Sequence, residues 1–217
     1  MSNSVSPQEA LERLKSGNGR FVQGLRSVTS FATEEKLKNL AENGQRPFAT
    51  ILTCSDSRLP AELLFDQGFG DLFVVRVAGN VVAPSLIASM EFAATALGSH
   101  MILVMGHTSC GAVNAASAYV TNPNMKLSEN LRDLVSRITP AVHFTNATQK
   151  FKKVDDDFLL EVTKNNVQHS MDTILEQSET LREMVKAGTI QIHGAVYDLK
   201  TVKVNFFPQP ASPNSKR

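Results

Sequence analysis

Two rhythms divide the chain. Up to about residue 44 apolar positions recur at helical spacing among polar ones, whereas from Pro47 onward short continuous apolar runs alternate with helical stretches. Ser6, Pro7 and Glu9 predict a helix start, with Ser6 as the cap, Pro7 at the first helical position and Glu9 closing a capping box. Leu11 and Leu14 mark its apolar face, and Gly17 and Gly19 are expected to interrupt it before Phe21, Val22 and Leu25. Thr33 to Glu42 reads as a second helix ended by Asn43 and Gly44. Residues 1–44 are thus expected to form a helical arm.

The apolar runs Phe48–Thr53, Leu72–Val77, Met101–Met105 and Ile190–Val196 predict four strands. Between the second and third, Leu86, Ile87, Met90, Ala93, Ala94 and Leu97 share one face of a helix from Pro84, stopped by Gly98. Continuous apolar strands alternating with helices predict an α/β fold, a mostly parallel sheet of four strands flanked by helices. Thr201 to Phe207 is expected to add an edge strand after a tight turn near Asp198. From Leu127 to Gly188 the pattern is helical, broken at Thr139-Pro140 and again in the polar segment after His143. Asp155, Asp156 and Asp157 suit a helix start, and Thr180 to Glu183 reads as a further capping box. A single domain over residues 1–207 is expected, with 208–217, rich in Pro, Ser and Asn, as a disordered tail.

Composition narrows the function classes. The 217 residues are 42% hydrophobic and 20% charged, ordinary for a globular protein, and the formal net charge is +1. That balance gives no reason to expect nucleic acid or an anionic membrane as partner. No run approaches the roughly 20 apolar residues of a membrane span, and no signal peptide is legible at the start. Only two cysteines are present, so Cys54 and Cys110 read as a ligand or redox pair in a reducing compartment rather than as a disulfide scaffold. A cytoplasmic location follows as the expectation.

The candidate chemistry sits at two strand ends. Cys54-Ser55-Asp56-Ser57-Arg58 follows the first strand, and Gly106-His107-Thr108-Ser109-Cys110-Gly111 follows the third. In a parallel sheet, loops after the carboxyl ends of strands meet in a shared crevice. Cys54, His107 and Cys110 could there hold one zinc ion, leaving its fourth position open as in catalytic sites. An H-x-x-C by itself is more often a buried free cysteine and a satisfied turn histidine. The adjacent Asp56 and Arg58 change that balance, because a guanidinium paired with a carboxylate keeps it ionised and oriented.

These segments, together with Arg76-Val77-Ala78-Gly79-Asn80 and Ala112-Val113, resemble the β-class carbonic anhydrases. The resemblance is tight from about Gln45 to Val113 and looser elsewhere. It implies one zinc ion per chain on Cys54, His107 and Cys110, with Asp56 and Arg58 as the catalytic dyad. The implied activity is reversible hydration of carbon dioxide to bicarbonate and a proton, by attack of zinc-bound hydroxide. It also implies a homodimer, or a higher even oligomer, whose N-terminal helices embrace the partner. Gln45, Phe73, Ala78, Phe92 and Gly111 are then expected around the substrate, some of them across the dimer interface. Phe92 stands where many relatives have tyrosine, so a pocket hydroxyl is missing. Two rival readings share the motifs: a carbon disulfide or carbonyl sulfide hydrolase, and a dimer that binds zinc without turnover. Thiol redox chemistry lacks the close C-x-x-C spacing.

Overall fold

The apolar runs become strands because each lies between two layers of helices. The computed structural model describes residues 5–25, 33–148 and 153–208. In it, β1 (Ala49–Thr53), β2 (Leu72–Arg76), β3 (Met101–His107) and β4 (Gln191–Tyr197) are parallel, and β5 (Val204–Phe206) adds an antiparallel edge. The strand order is β2-β1-β3-β4-β5. Every residue of β1 and β3 is buried, which is why neither run alternates with polar positions. The period of two survives inside the core. Ile51, Leu103 and Met105 join one apolar cluster, while Leu52, Ile102 and Val104 join the other.

The helices among the described residues are α1 (Pro7–Val22), α2 (Glu34–Asn43), α3 (Ala61–Leu64), α4 (Pro84–Thr95), α5 (Gly111–Thr121), α6 (Glu129–Ser136), α7 (Thr139–Thr148), α8 (Asp156–Gln177) and α9 (Glu179–Lys186). One layer contains α1, α5, α6 and α7, and the other contains α4 and α9. The long α8 serves both, with Phe158 and Val162 in the first cluster and Val167 and Ile174 in the second. Among the described residues no helix is long and apolar enough to cross a membrane.

The N-terminal segment is helical as expected, but it is not interrupted where its glycines predict. Ser6 caps α1 as predicted, its side chain accepting from the Glu9 amide, but the helix runs unbroken through Gly17 and Gly19. A Cβ at Gly17 would lie 1.8 Å from the Phe65 carbonyl oxygen. The glycine therefore serves close packing of α1 on the end of α3, rather than a break. Ala10, Leu11 and Leu14 are buried in the chain's own core. Asn18 fixes the helix further: its Nδ2 donates to the carbonyls of Leu64 (3.1 Å) and Val202 (3.3 Å), and its Oδ1 accepts from the Val204 amide (2.9 Å). By contrast, α2 buries none of its residues.

Two helix boundaries also differ. α9 is capped by Ser178, two residues before the expected Thr180. The Ser178 hydroxyl accepts from the Leu181 amide at 3.0 Å and donates to Glu91 of α4 at 2.5 Å, so a distant carboxylate favours that cap. The second expected break, in the polar segment after His143, is observed between α7 and α8, but α7 first runs on to Thr148 because Thr145 is buried and takes the amide of Asn165 on α8 at 2.8 Å. The break at Thr139-Pro140 is observed, as is the Asp198 turn before β5. From residue 209 on, the expected tail lies outside the described residues.

Candidate metal centre

Parallel pairing of β1 with β3 sets Thr53 against Met105, so the two chemical motifs leave the sheet side by side. Cys54 directly follows β1, His107 closes β3, and Cys110 caps α5. The ligand atoms of these three buried residues all lie within 4.8 Å of one another. The His107 ring is oriented by its own turn, with Nδ1 2.9 Å from the Thr108 carbonyl. A proton on Nδ1 makes that bond and leaves a lone pair on Nε2. Nε2 is buried and, among the described residues, has no hydrogen-bond partner. An orphaned polar atom of this kind is unfavourable in a dry interior unless a ligand completes it.

The two thiols share their charge. The hydrogen bond with Cys110 is the largest influence holding the Cys54 thiol well below its ordinary value, and His107 and the Gly79 amide act in the same direction. That amide donates to Cys54 Sγ at 3.3 Å. Cys110 is pushed up by the same Cys54 bond, by burial and by its neighbour's charge. Burial and the shared bond thus both oppose removal of the pair's second proton. A divalent ion would displace the second proton, and two sulfurs with one imidazole nitrogen are a donor set that suits zinc.

Beside the cluster, Arg58 grips Asp56 in bidentate fashion. Nε donates to Oδ1 at 2.9 Å, Nη2 to Oδ2 at 2.7 Å, and the Arg58 amide adds a third bond to Oδ1 at 3.0 Å. These side-chain bonds are the first reason that the Asp56 carboxyl stays well below the usual carboxylate range. Its Oδ2 lies 4.0 Å from His107 Nε2. The Asp56 side chain is only 19% exposed against 52% for Arg58, so the carboxylate faces the cluster while the guanidinium meets solvent.

Three contributors carry no role in the sequence reading. Arg76 holds the loop from the neighbouring strand, donating to the carbonyls of Cys54 (3.2 Å) and Asp56 (2.6 Å). Its signal was a charged residue ending an apolar run. Gly79 supplies the amide to Cys54 from a left-handed conformation, φ 69°, that glycine adopts freely. Ser109, with φ 56°, turns its carbonyl to within 3.4 Å of Arg58 Nη2.

A family profile described as carbonic anhydrase matches residues 49–204. Carbonic anhydrase 2 of Mycobacterium tuberculosis is 36% identical over 196 residues, covering 90% of each chain. The β-carbonic anhydrase CcaA superposes with a TM-score of 0.70 at 25% identity, over 91% of this chain and 95% of that one. A Coccomyxa β-carbonic anhydrase in complex with acetazolamide gives 0.71 at 25% identity, over 82% and 79%. The chain belongs to the β-class carbonic anhydrase family.

The pocket residues expected of a β-carbonic anhydrase fall into two groups. Ala78 opens the short turn Ala78–Asn80 whose Gly79 amide meets Cys54, and Gly111 begins α5 immediately after Cys110. Gln45, Phe73 and Phe92 lie at the other end of the sheet. Gln45 precedes β1 and lines a hollow of about 450 Å³ with Arg46, Phe48, Thr95 and His100. Phe73 pairs with Thr50 near the start of β1 and meets Phe92 in a tilted ring contact, centroids 6.4 Å apart; Phe92 is 54% exposed. At about 3.3 Å per residue, the four residues from Thr50 to Cys54 set Phe73 roughly 13 Å from the cluster along the sheet, with Gln45 farther still. One chain therefore does not bring Gln45, Phe73 and Phe92 to its own metal centre.

Proposed function

We propose that the chain holds one zinc ion on Cys54 Sγ, His107 Nε2 and Cys110 Sγ and catalyses the reversible hydration of carbon dioxide to bicarbonate and a proton. The observation that carries this reading is the buried, partnerless Nε2 converging with two thiols beside an ionised, clamped carboxylate. When bound, zinc would act as a Lewis acid, making water available as a nucleophile at mild pH.

The chain's own groups supply direction. With both oxygens engaged by Arg58, Asp56 is an acceptor only, so it can hold an attacking oxygen through that oxygen's hydrogen and leave a lone pair free for the carbon of CO₂. Arg58 keeps Asp56 ionised and fixed in this pose. The Gly79 amide on Cys54, the Thr108 carbonyl on His107 and the Arg76 bonds hold ligands and loop in place before substrate arrives, which lowers the reorganisation needed during reaction. His193 is not suited to carry the released proton, since it is buried and bonded to Gln191. Solvent buffer is the proposed acceptor.

A homodimer completes the proposal. The exposed Phe92, its partner Phe73 and the outlying Gln45 form a face with no function within one chain. We assign to that face the covering of the metal centre of a second copy, with the unburied α2 as an embracing arm. A cytoplasmic location goes with two reduced cysteines and the absence of a disulfide framework. Stopped-flow hydration of CO₂ tests the reading: zinc-loaded protein should accelerate it strongly and chelator-stripped protein should not. No zinc-dependent acceleration overturns it, and turnover of carbon disulfide or carbonyl sulfide instead would select the rival substrate.

A further inference from the structure

The residues around the Gly79 turn contain polar groups that the proposed reaction does not use. Asn80 Nδ2 and Asn166 Oδ1 are buried without partners among the described residues. Asn80 itself lies in the turn, and the other half of the Asn166 amide is committed to it. Asn166, fully buried on α8, donates Nδ2 to the Gly79 carbonyl at 2.9 Å. One turn later on the same helix, Ser170 Oγ donates to the Asn80 carbonyl at 3.1 Å. Gly79 and Asn80 are both left-handed, with φ 69° and 45°, a conformation that asparagine tolerates and that a surrounding structure must hold. Two such residues in succession aim the Gly79 amide at Cys54 Sγ.

We propose that Asn166 is a positioning residue for the metal centre, holding the Gly79 carbonyl so that the Gly79 amide keeps its bond to Cys54. The inference rests on the zinc reading above. Loss of the Asn166 donor would leave the Gly79 carbonyl without a buried partner and let the turn relax away from the sulfur. An N–H donor draws charge from the sulfur it meets, so its loss alters both metal affinity and the metal–sulfur electronic spectrum. Partners one step beyond the ligands commonly set affinity by such means.

The test compares Asn166→Leu with Asn165→Leu, the latter removing an amide that bonds Thr145 of α7 and not the turn. Zinc affinity is read by chelator competition, and the thiolate-to-metal band by near-ultraviolet absorption of the cobalt(II)-substituted protein. Asn166→Leu should weaken zinc binding about tenfold and move the band to longer wavelength. Asn165→Leu should lower thermal stability and leave both readouts unchanged. Asn166→Ser, with room for a water at the Gly79 carbonyl, guards against a leucine variant that does not fold and should fall between Asn166→Leu and wild type. If the Asn166 variants lose stability yet keep affinity and band, the residue is merely structural and the proposal is overturned. A wild-type chain that holds neither zinc nor cobalt overturns the proposed function, and this inference with it.

Discussion

At the carboxyl ends of β1 and β3, polar groups are buried and committed to one another. Cys54, His107 and Cys110 converge, Arg58 and Arg76 hold the Cys54–Asp56 loop, and the turn at Gly79 is bonded from α8. At the amino ends of the same strands, Gln45 and Phe92 are exposed, and the hollow beside Gln45 gathers groups with no shared chemistry. One end is complete within the chain and the other is not. Completeness of a site can therefore be judged from how many of its polar groups are already engaged: at the first end His107 Nε2, Asn80 Nδ2 and Asn166 Oδ1 are left open among the described residues, whereas the second end leaves whole side chains without work.

The largest effects should come from the ligands themselves. Cys54→Ser or His107→Ala should reduce zinc from about one per chain to almost none, measured by elemental analysis, and abolish CO₂ hydration. Asp56→Asn should instead keep zinc and lose about a hundredfold or more of kcat/KM, the range expected for a group that directs a proton in the transition state. Equal metal and equal rate in that variant would remove Asp56 from its assigned role. The opposite end gives the sharper contrast. Gln45→Ala should leave zinc content unchanged and lower kcat/KM about tenfold, near 1.4 kcal/mol, if a second copy supplies it. Phe92→Lys should shift the protein toward single chains in sedimentation while the isolated metal centre persists. Unaltered kinetics and assembly in both variants would break the proposed link between the two ends.

A smaller effect separates the dyad from the metal. The folded-state pKa of Asp56 lies below its unfolded value, first because of the Arg58 bonds. Between those two values the unfolded chain binds more protons, so the contribution is full above the ordinary carboxyl value of about 4 and is lost as pH falls toward the folded one. In metal-free protein, the urea midpoint of wild type should therefore exceed that of Asp56→Asn at pH 6 by more than at pH 3. The half-exposed guanidinium keeps this difference small.

How much was legible follows from where the controlling contacts lie. The strands could be read because a central parallel strand is apolar throughout, as Ile51 and Leu52 facing opposite layers show. The convergence of Cys54, His107 and Cys110 could be read because two compact motifs each sit directly at the end of a neighbouring parallel strand. Gly17 could not, since its packing partner is a carbonyl on α3 and its local pattern suggests only a break. Ser178 outcompeted the capping box at Thr180 through a carboxylate 87 positions away. Arg76 and Asn166 were silent for a similar reason. Each acts on backbone carbonyls of a distant loop, and nothing near them in sequence marks those targets.

Asn18 has a consequence for how the chain is made. Its side chain joins the first helix to the turn and strand at Val202 and Val204, 184 and 186 positions later. During synthesis Asn18 can meet the Leu64 carbonyl early, but its bonds to Val202 and Val204 must wait until those residues have left the ribosome. Contacts of such sequence separation slow folding, because the intervening loop must close before they form. A nascent chain stalled before residue 202 would therefore lack the bonds that close β5 onto α1, leaving one edge of the sheet open to misassembly.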